Sequence, residues 1–416
     1  MRWFRSVLRK PLTIVLLATA GLAAGGVGYW RHQSDQLLVE GQHALEAREY
    51  AAAREHLERY LKIRPGAVAA RLLAARAARC QRDFDGALDH LRRCRDDGGD
   101  AEAIDAEYAL INIKRGDDKS VPWLRERARN DDPLALLILE GLIQHDLDTY
   151  QLWQALEDLN EHLRRRPTDL QALLARADVW ERFLSFADAL NDYRRAVEAH
   201  PTSARARLRL ADTLLIAGTP DEALEHYAWL AERWPQRPEV RLGLARCRHR
   251  QGQLTEAQEL LDALLAAAPQ HGEANWERGQ VALDQDKPAD AESWLQRAAR
   301  ALPFDRRIQY SLERCLLALG RGAEAEQCRA RAGQLEADVR RLDQVRHEVM
   351  KRPSDAALWC EAGLLFLRNG EPREGRRWLQ TALRLDPSCE PARKALAEYS
   401  GPKGGQLGQV AGPPRK

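Results

Sequence analysis

Apolar positions recur every three to four residues along most of the chain, and prolines divide this pattern into equal lengths. The pattern is clearest from Leu170 to Pro303, where four prolines recur at a constant interval of 34, namely Pro201, Pro235, Pro269 and Pro303. An alanine recurs at the same point before each proline, at Ala189, Ala223, Ala257 and Ala291. A fixed period in the thirties is typical of solenoids built from stacked units. The pattern therefore predicts an all-α array of helix pairs.

The same frame extends towards the N-terminus without insertion. Steps of the same length backwards from Pro201 fall on Pro167, Pro133, Gly99 and Pro65, all of which are helix terminators. Residues 34–305 are therefore predicted to form eight units, numbered here in positions from 1 to 34 with the first unit starting at Ser34. Each unit is expected to contain a helix A, a short turn, a helix B and a terminating proline or glycine.

The spacing of the helix terminators changes after Pro303. The next terminator is Pro353, at a distance between one and two repeat lengths. Between them, apolar side chains keep a helical spacing at Leu335, Val339, Leu342, Val345 and Val349. We therefore expect a ninth unit with an extended or doubled helix over residues 306–353. Residues 354–400 are expected to form a tenth unit and a capping helix, and residues 401–416, which are rich in glycine and proline, a disordered tail.

Small and bulky side chains occupy fixed columns within the units. The unit that starts at Leu170 shows Leu173, Ala177, Trp180, Ala189, Tyr193, Ala196 and Pro201. Small residues at positions 8 and 20, bulky ones at 4, 11, 17 and 24, and proline at 32 make this pattern resemble the tetratricopeptide repeat family. The resemblance implies a right-handed superhelical solenoid of antiparallel helix pairs. Two units depart from it, since Asn112, Arg125 and Asp146 stand where bulky side chains are usual.

The N-terminus has the features of a membrane anchor. Residues 1–11 carry four positive charges and no acid, and residues 12–30 are uncharged and end in Tyr29 and Trp30. Nineteen residues in a helix span about 28 Å, close to the thickness of a bilayer's hydrocarbon core. The flanking charges predict a cytoplasmic N-terminus and repeats on the other side of the membrane. The alternative is a signal peptide cleaved after Ala18-Thr19-Ala20, which would release a secreted or periplasmic protein.

Composition and motifs give little support for an enzyme. Acidic and basic residues nearly cancel, at a net charge of +2, so no bulk charge favours nucleic acid. Motifs for phosphate loops, zinc proteases and serine hydrolases are missing, as are C-x-x-C pairs. We therefore expect no enzymatic activity, no cofactor and no metal. Cys315 and Cys328 lie level across one predicted hairpin, which leaves a disulfide or two buried thiols as alternatives.

The remaining candidate site is the concave face, which the resemblance assigns to positions 2, 5, 9, 12 and 13 of helix A. On the later units these positions form a predicted basic cluster with two aromatic side chains. Its members are Arg246, His249, Arg250, Trp276, Arg307, Tyr310 and Arg314. Arginine and aromatic residues are the types that most often dominate protein interfaces.

Two functions are compatible with this sequence. The first is a membrane-anchored scaffold for protein–protein interactions or for the assembly of envelope complexes, on the extracytoplasmic side. The alternative is an accessory or sensor protein of an exported-polysaccharide system, in which Trp276 and Tyr310 would stack on a glycan. Protein partners are expected in the groove, together with the membrane at residues 12–30.

Overall fold

The structure is a computed structural model that describes residues 34–130 and 132–400. The expected basic N-terminus, the expected membrane span at residues 12–30 and the expected tail at 401–416 lie outside these residues. Regular structure in the described part is helical, including one short 3₁₀ turn at Asp118–Ser120. Among the described helices, none combines the length and the apolar character needed to cross a membrane.

The chain divides into two compact units, the first of which ends at Ala199. Its described helices are α1 (34–46), α2 (Tyr50–Ile63), α3 (Val68–Cys80), α4 (Phe84–Asp96), α5 (Ala101–Lys114), α6 (Val121–Arg129), α7 (Ala135–Asp148), α8 (Leu152–Arg165), α9 (Leu170–Arg182) and α10 (Phe186–Ala199).

The second unit begins at His200. Its described helices are α11 (Ala204–Ile216), α12 (Pro220–Arg233), α13 (Pro238–Arg250), α14 (Leu254–Ala267), α15 (Gly272–Asp284), α16 (Pro288–Ala301), α17 (Arg306–Ala318), α18 (Gly322–Lys351), α19 (Ala356–Arg368), α20 (Pro372–Leu385) and α21 (Glu390–Ser400). Within each unit the helices pack mainly on their neighbours in sequence, as expected of a tetratricopeptide-like solenoid.

Helices A and B of a repeat cross where a small residue faces a bulky one. A Cβ atom added to Gly279 would lie 2.6 Å from Cδ2 of Leu295, and one added to Gly363 would lie 2.6 Å from Cγ of Leu379. These pairs stand at positions 8 and 24, which the sequence pattern assigns to a small and a bulky residue, respectively. The small residue lets the two backbones approach, and the bulky one fills the space beside the crossing.

A second recurring contact ties five of the described helices A to the end of the preceding helix B. The side chain at position 4 donates a hydrogen bond to the carbonyl of the terminating proline. The pairs are Arg71 with Pro65, Arg207 with Pro201, Arg241 with Pro235, Asn275 with Pro269 and Trp359 with Pro353. Sequence reasoning expected a bulky packing residue at this column. The contact satisfies a carbonyl that the helix end leaves without an intrahelical partner.

In the first compact unit, charged side chains that depart from the family pattern in two neighbouring repeats form ion pairs with one another. Nη2 of Arg125 lies 2.6 Å from Oδ2 of Asp146 and 3.4 Å from Oδ2 of Asp158. Burial raises the pKa of Asp146 to about 7 against the charge of Arg125, and the neighbouring Asp158 adds to the rise. Arg125 and Asp146 both depart from the family pattern, and the structure explains the departures by bringing the two side chains together.

The insertion after Pro303 lengthens a single helix. Helix α18 runs over 30 residues, or about 45 Å, and α19 packs against its second half. Arg341 pairs with Glu361 at 2.6 Å, and Arg368 with Asp338 at 2.9 Å. The turn after α19 then reaches back to the loop before α17. At Gly370, an added Cβ would lie 2.4 Å from Cδ2 of Phe304.

All seven cysteines are free in the structure, which favours thiols at Cys315 and Cys328. The Cys315 thiol donates to the carbonyl of Pro288 at 3.1 Å. A second pair of thiols lies together, since Cys389, just before α21, packs against the buried cluster that contains Cys360 of α19. Burial, followed by the neighbouring Cys389 thiol, raises the pKa of Cys360 to about 12. Such a thiol is a poor nucleophile at neutral pH.

We predict opposite effects for two glycine-to-alanine substitutions. Gly243→Ala should destabilise the second unit by about 1–3 kcal/mol, because the new Cβ would lie 2.0 Å from Cε1 of the fully buried Tyr227. Gly333→Ala is the matched control, since Gly333 is exposed in the middle of α18 with open space around it. It should stabilise α18 by up to about 1 kcal/mol. Urea unfolding of both variants checks this, and an unchanged midpoint for Gly243→Ala would contradict the packing described.

Candidate functional site

The seven candidate residues lie on three successive helices A of the second unit. Helix α13 carries Arg246, His249 and Arg250, α15 carries Trp276, and α17 carries Arg307, Tyr310 and Arg314. Helix α15 packs beside both α13 and α17. We call the exposed side of these three helices the helix-A face.

Carboxylates of α15 hold the basic side chains of α13. The Arg246 guanidinium contacts Glu273 and Glu277, the second with Nε 3.3 Å from Oε2. His249 lies between two acids, with Nδ1 2.6 Å from Oε1 of Glu277 and Nε2 2.8 Å from Oδ2 of Asp284. Both nitrogens of the imidazole therefore have a carboxylate partner, an arrangement that favours the doubly protonated form.

The pKa of His249 reflects a competition between burial and these acids. Burial acts to lower its pKa, but the hydrogen bonds and negative charges of Glu277 and Asp284 outweigh burial and raise it. Glu277 is buried, and burial acts to raise its pKa. The charges and hydrogen bonds of His249 and Arg246 reverse this and lower the pKa of Glu277. Each group of the pair therefore favours the charged form of the other.

A hydrogen-bonded cluster joins α15 to α17. Nε1 of Trp276 donates to Oγ of Ser311 at 2.9 Å, and the Ser311 hydroxyl donates to the carbonyl of Arg307 at 2.7 Å. The Arg307 guanidinium lies over the Trp276 ring, 4.5 Å from its centre. Its Nη2 also reaches Glu273 at 2.8 Å and Asp305 at 2.6 Å. Hydrogen bonds to Asp305, together with Glu273, raise the pKa of Arg307.

The outer side of α17 is the most open part of the helix-A face. The side chains of Arg307 and Arg314 are 50% and 53% exposed, and Tyr310 and Leu317 are 42% and 52% exposed. Arg314 reaches back to Asp284 at 3.1 Å, and the Tyr310 hydroxyl donates to Glu336 of α18 at 2.9 Å. The face is open because α19 packs on the far half of α18 instead of following α17.

The structure thus joins five of the seven candidates through direct contacts or shared partners. Tyr310 bonds to α18 instead, and Arg250 is exposed at the end of α13. Acidic side chains accompany the expected basic cluster, because Glu273, Glu277 and Asp284 of α15 contact the cations of α13 and α17.

Sequence reasoning missed these acids, although Glu273 and Asp284 stand at positions 2 and 13, which belong to the same columns. In the part of the chain described, no cluster of three or more metal-ligating side chains is placed to hold a metal ion.

Two family models, both described as tetratricopeptide repeat, match this chain. One matches residues 38–107, 182–238 and 277–334, and the other matches residues 214–278. The chain belongs to the tetratricopeptide repeat family, whose members are in general non-enzymatic scaffolds that bind protein partners. The residues outside these matches include 108–181, which contain the ion network of Arg125, and the second half of α18.

Solved structures with similar folds include several repeat proteins. PilW, a type IV pilus biogenesis factor, is 22% identical over 49% of this chain and 92% of its own, with a TM-score of 0.42. A tetratricopeptide repeat protein from Parabacteroides merdae is 17% identical over 68% of this chain and 99% of its own, with a TM-score of 0.38. PilF from Pseudomonas aeruginosa is 17% identical over 55% of this chain and 97% of its own, with a TM-score of 0.35. These scores are too low to carry an argument about function.

Comparison with curated protein sequences gave no significant match.

The contact between His249 of α13 and Glu277 of α15 predicts that a substitution at Glu277 changes the pKa of His249. Glu277→Gln should lower the pKa of His249, because it removes one of the two negative charges that contact the imidazole. Nuclear magnetic resonance titration of the imidazole measures this, with the signal assigned by its loss in His249→Gln. The control is Glu256→Gln, an exposed carboxylate on α14. An unchanged pKa in Glu277→Gln would show that the contact does not exist in solution.

Proposed function

We propose that this protein is a membrane-anchored scaffold that captures a protein partner on the helix-A face of its second unit. The proposal places this face outside the cytoplasm, where capture would contribute to the assembly of envelope complexes. The observation that carries the proposal is the open side of α17. Tyr310, Arg314 and Leu317 there combine an aromatic ring, a guanidinium and an apolar side chain, all more than two-fifths exposed. Tyrosine and arginine are enriched among the residues that dominate protein interfaces.

The comparison with α15 shows why this exposure is notable. Trp276 and Gln280, the residues of α15 that correspond to Tyr310 and Arg314, both contact side chains of α17. Within the part of the chain that the structure describes, the corresponding residues of α17 contact the preceding helix α15 through Arg314 and the long helix α18 through Tyr310. The repeat therefore presents at α17 a surface that is covered elsewhere by the next helix A. A helical or extended partner segment would find there the contacts that the array does not use itself.

The membrane part of the proposal rests on the first thirty residues. Their uncharged stretch is long enough to cross a bilayer, and their basic residues lie on its N-terminal side. Helical structure is already present at residue 34. An uncleaved anchor would thus leave only a few residues between the bilayer and the first repeat.

The glycan alternative is weakened by the environment of Trp276. A sugar needs an open aromatic face on which to stack. The guanidinium of Arg307 lies over the Trp276 ring, and the ring nitrogen is already bonded to Ser311. Tyr310 alone remains of the two aromatic side chains, and a lone tyrosine beside Arg314 fits a peptide better than a sugar chain.

Site-specific crosslinking in intact membranes tests the proposal. A photoreactive amino acid replaces Tyr310 in the full-length chain, and Arg300, exposed on α16, is the matched control position. We expect a defined crosslinked polypeptide from position 310 and none from position 300. Arg314→Glu in the same chain should reduce that product, because it reverses the charge beside the crosslinker.

Three outcomes would contradict this account. Equal crosslinking at positions 300 and 310 would remove the special role of α17. A product that mass spectrometry identifies as carbohydrate would support the glycan alternative. A mature chain that begins at Gly21 would overturn the anchor and leave a released protein.

A further inference from the structure

Four arginines and two tryptophans lie together where α12 ends and α13 begins. They are Arg207, Trp229, Arg233, Trp234, Arg237 and Arg241, and we call them the arginine cluster. The Cζ atoms of Arg207 and Arg233 lie 4.1 Å and 3.9 Å from the centre of the Trp229 ring. The rings of Trp229 and Trp234 are 6.1 Å apart, and Arg237 lies 5.6 Å from the centre of Trp234. The cluster shares no residue with the helix-A face.

The guanidinium groups of this cluster have few acidic partners. Nε of Arg207 donates to the carbonyl of Pro201, and Nε of Arg241 donates to the carbonyl of Pro235. Within the described residues, no carboxylate lies in ion-pair contact with Arg207, Arg237 or Arg241. Among the described carboxylates, Arg233 pairs with that of its neighbour in sequence, Glu232, which is 73% exposed, and it also donates to the carbonyl of Trp229.

The electrostatics of Arg207 agree with this lack of partners. Burial and the like charge of Arg233 lower the pKa of Arg207, with no opposing contribution from a carboxylate. Arg246, Arg307 and Arg314 in the same unit all contact acids of a neighbouring helix. At the start of α17 and α19 an aspartate caps the helix, whereas α13 has Arg237 at that position.

A second tryptophan in the same compact unit, Trp294, also lies beside two arginines, but one of these arginines is paired with a carboxylate. Arg278 and Arg297 lie 5.5 Å and 4.7 Å from the centre of the Trp294 ring. Nε of Arg278 also contacts Oδ1 of Asp262 at 2.7 Å. An arginine can therefore lie over a tryptophan ring and pair with a carboxylate at the same time. The positive charge left at Trp229 is a specific property of the arginine cluster.

We propose that the arginine cluster binds an acidic segment of a protein partner. Its guanidinium groups are held by two proline carbonyls and by the rings of Trp229 and Trp234. Because Arg207 and Arg233 each lie about 4 Å from one ring centre, their guanidinium carbons are at most about 8 Å apart. Alternate side chains of an extended peptide are about 7 Å apart, so successive glutamates could reach successive arginines.

The same geometry argues against a nucleic acid as the ligand. Nucleobases need open aromatic faces, and guanidinium groups already lie over both Trp229 and Trp234. The site is separate from the helix-A face, so the inference does not depend on the function proposed above.

Fluorescence anisotropy with the full-length chain tests this inference. The probe is a labelled decapeptide of alternating glutamate and glycine, and a lysine–glycine decapeptide is the negative control. We expect the acidic probe to bind at low ionic strength and to weaken as sodium chloride approaches about 150 mM. Arg207→Gln combined with Arg233→Gln should weaken binding at least about fivefold, because it removes two charge-assisted contacts.

Control variants keep the interpretation clear. Arg297→Gln, at the Trp294 site, should bind the probe as the unmodified chain does, and so should Tyr310→Ala on the helix-A face. Arg207 also bonds the Pro201 carbonyl, so its replacement could disturb the fold, which circular dichroism would reveal. Arg237→Gln then tests the inference, because Arg237 is exposed and, among the described residues, the contact of its side chain is with the Trp234 ring. It should weaken binding at least about twofold.

Several results would overturn the inference. One is undetectable binding of the acidic probe to the unmodified chain, and another is equal binding by all variants. Displacement of the probe by inorganic phosphate at equal concentration would indicate a phosphate site instead. Binding to phosphatidylglycerol vesicles that requires Arg207 and Arg233, without binding of the peptide, would indicate a membrane surface.

Discussion

The close approach of helix A to helix B is the constraint on which this structure depends. At Gly279 and Gly363 the partner leucine lies within 3 Å of where a Cβ would be, so only the smallest residue allows the crossing. With that distance set, the bulky residue at position 24 is fully buried and the hairpin presents one continuous apolar side to the next. No hairpin can cover that side alone, which is why the units stack. Polar residues are then free to vary on the remaining surface.

The departures from the regular frame create the surfaces of interest. The insertion after Pro303 makes α18 a 30-residue helix, and α19 packs on its far half. The side of α17 that a following helix A would cover is left to solvent, with Tyr310 and Leu317 upon it. The second compact unit also contains the arginine cluster around Trp229, whose guanidinium groups have few acidic partners. These two surfaces have different chemistry, one mixed in charge with apolar groups and the other strongly cationic.

Much of the fold follows from periodicity, because proline and small residues act locally. A proline at position 32 stands just past the end of helix B and stops it, and a glycine or alanine at position 8 or 20 permits a crossing whatever its neighbours are. The long helix after Pro303 was also foreseeable, since its apolar residues keep a helical spacing through the insertion. These features need only the residue itself and its position in the frame.

Polar partnerships were harder to predict, because they join residues of different repeats. Arg246 and His249 were identified as candidates, but their acids lie 27 to 35 residues further along the chain. A side chain as long as arginine can reach several such columns, so position alone does not select its partner. The compensation of Arg125 by Asp146 and the bond from Arg241 to the Pro235 carbonyl escaped prediction for the same reason.

The central claim is that the array leaves α17 uncovered, and hydroxyl-radical footprinting of the full-length chain tests it most directly. Leu317 and Leu283 stand at the same position of successive repeats and have the same intrinsic reactivity. Leu317 is 52% exposed, whereas Leu283 packs against the core formed by α15, α16 and α17. The account predicts that Leu317 is oxidised several times faster than Leu283. Equal, slow oxidation of the two leucines would mean that another part of the molecule covers α17, and would contradict the account.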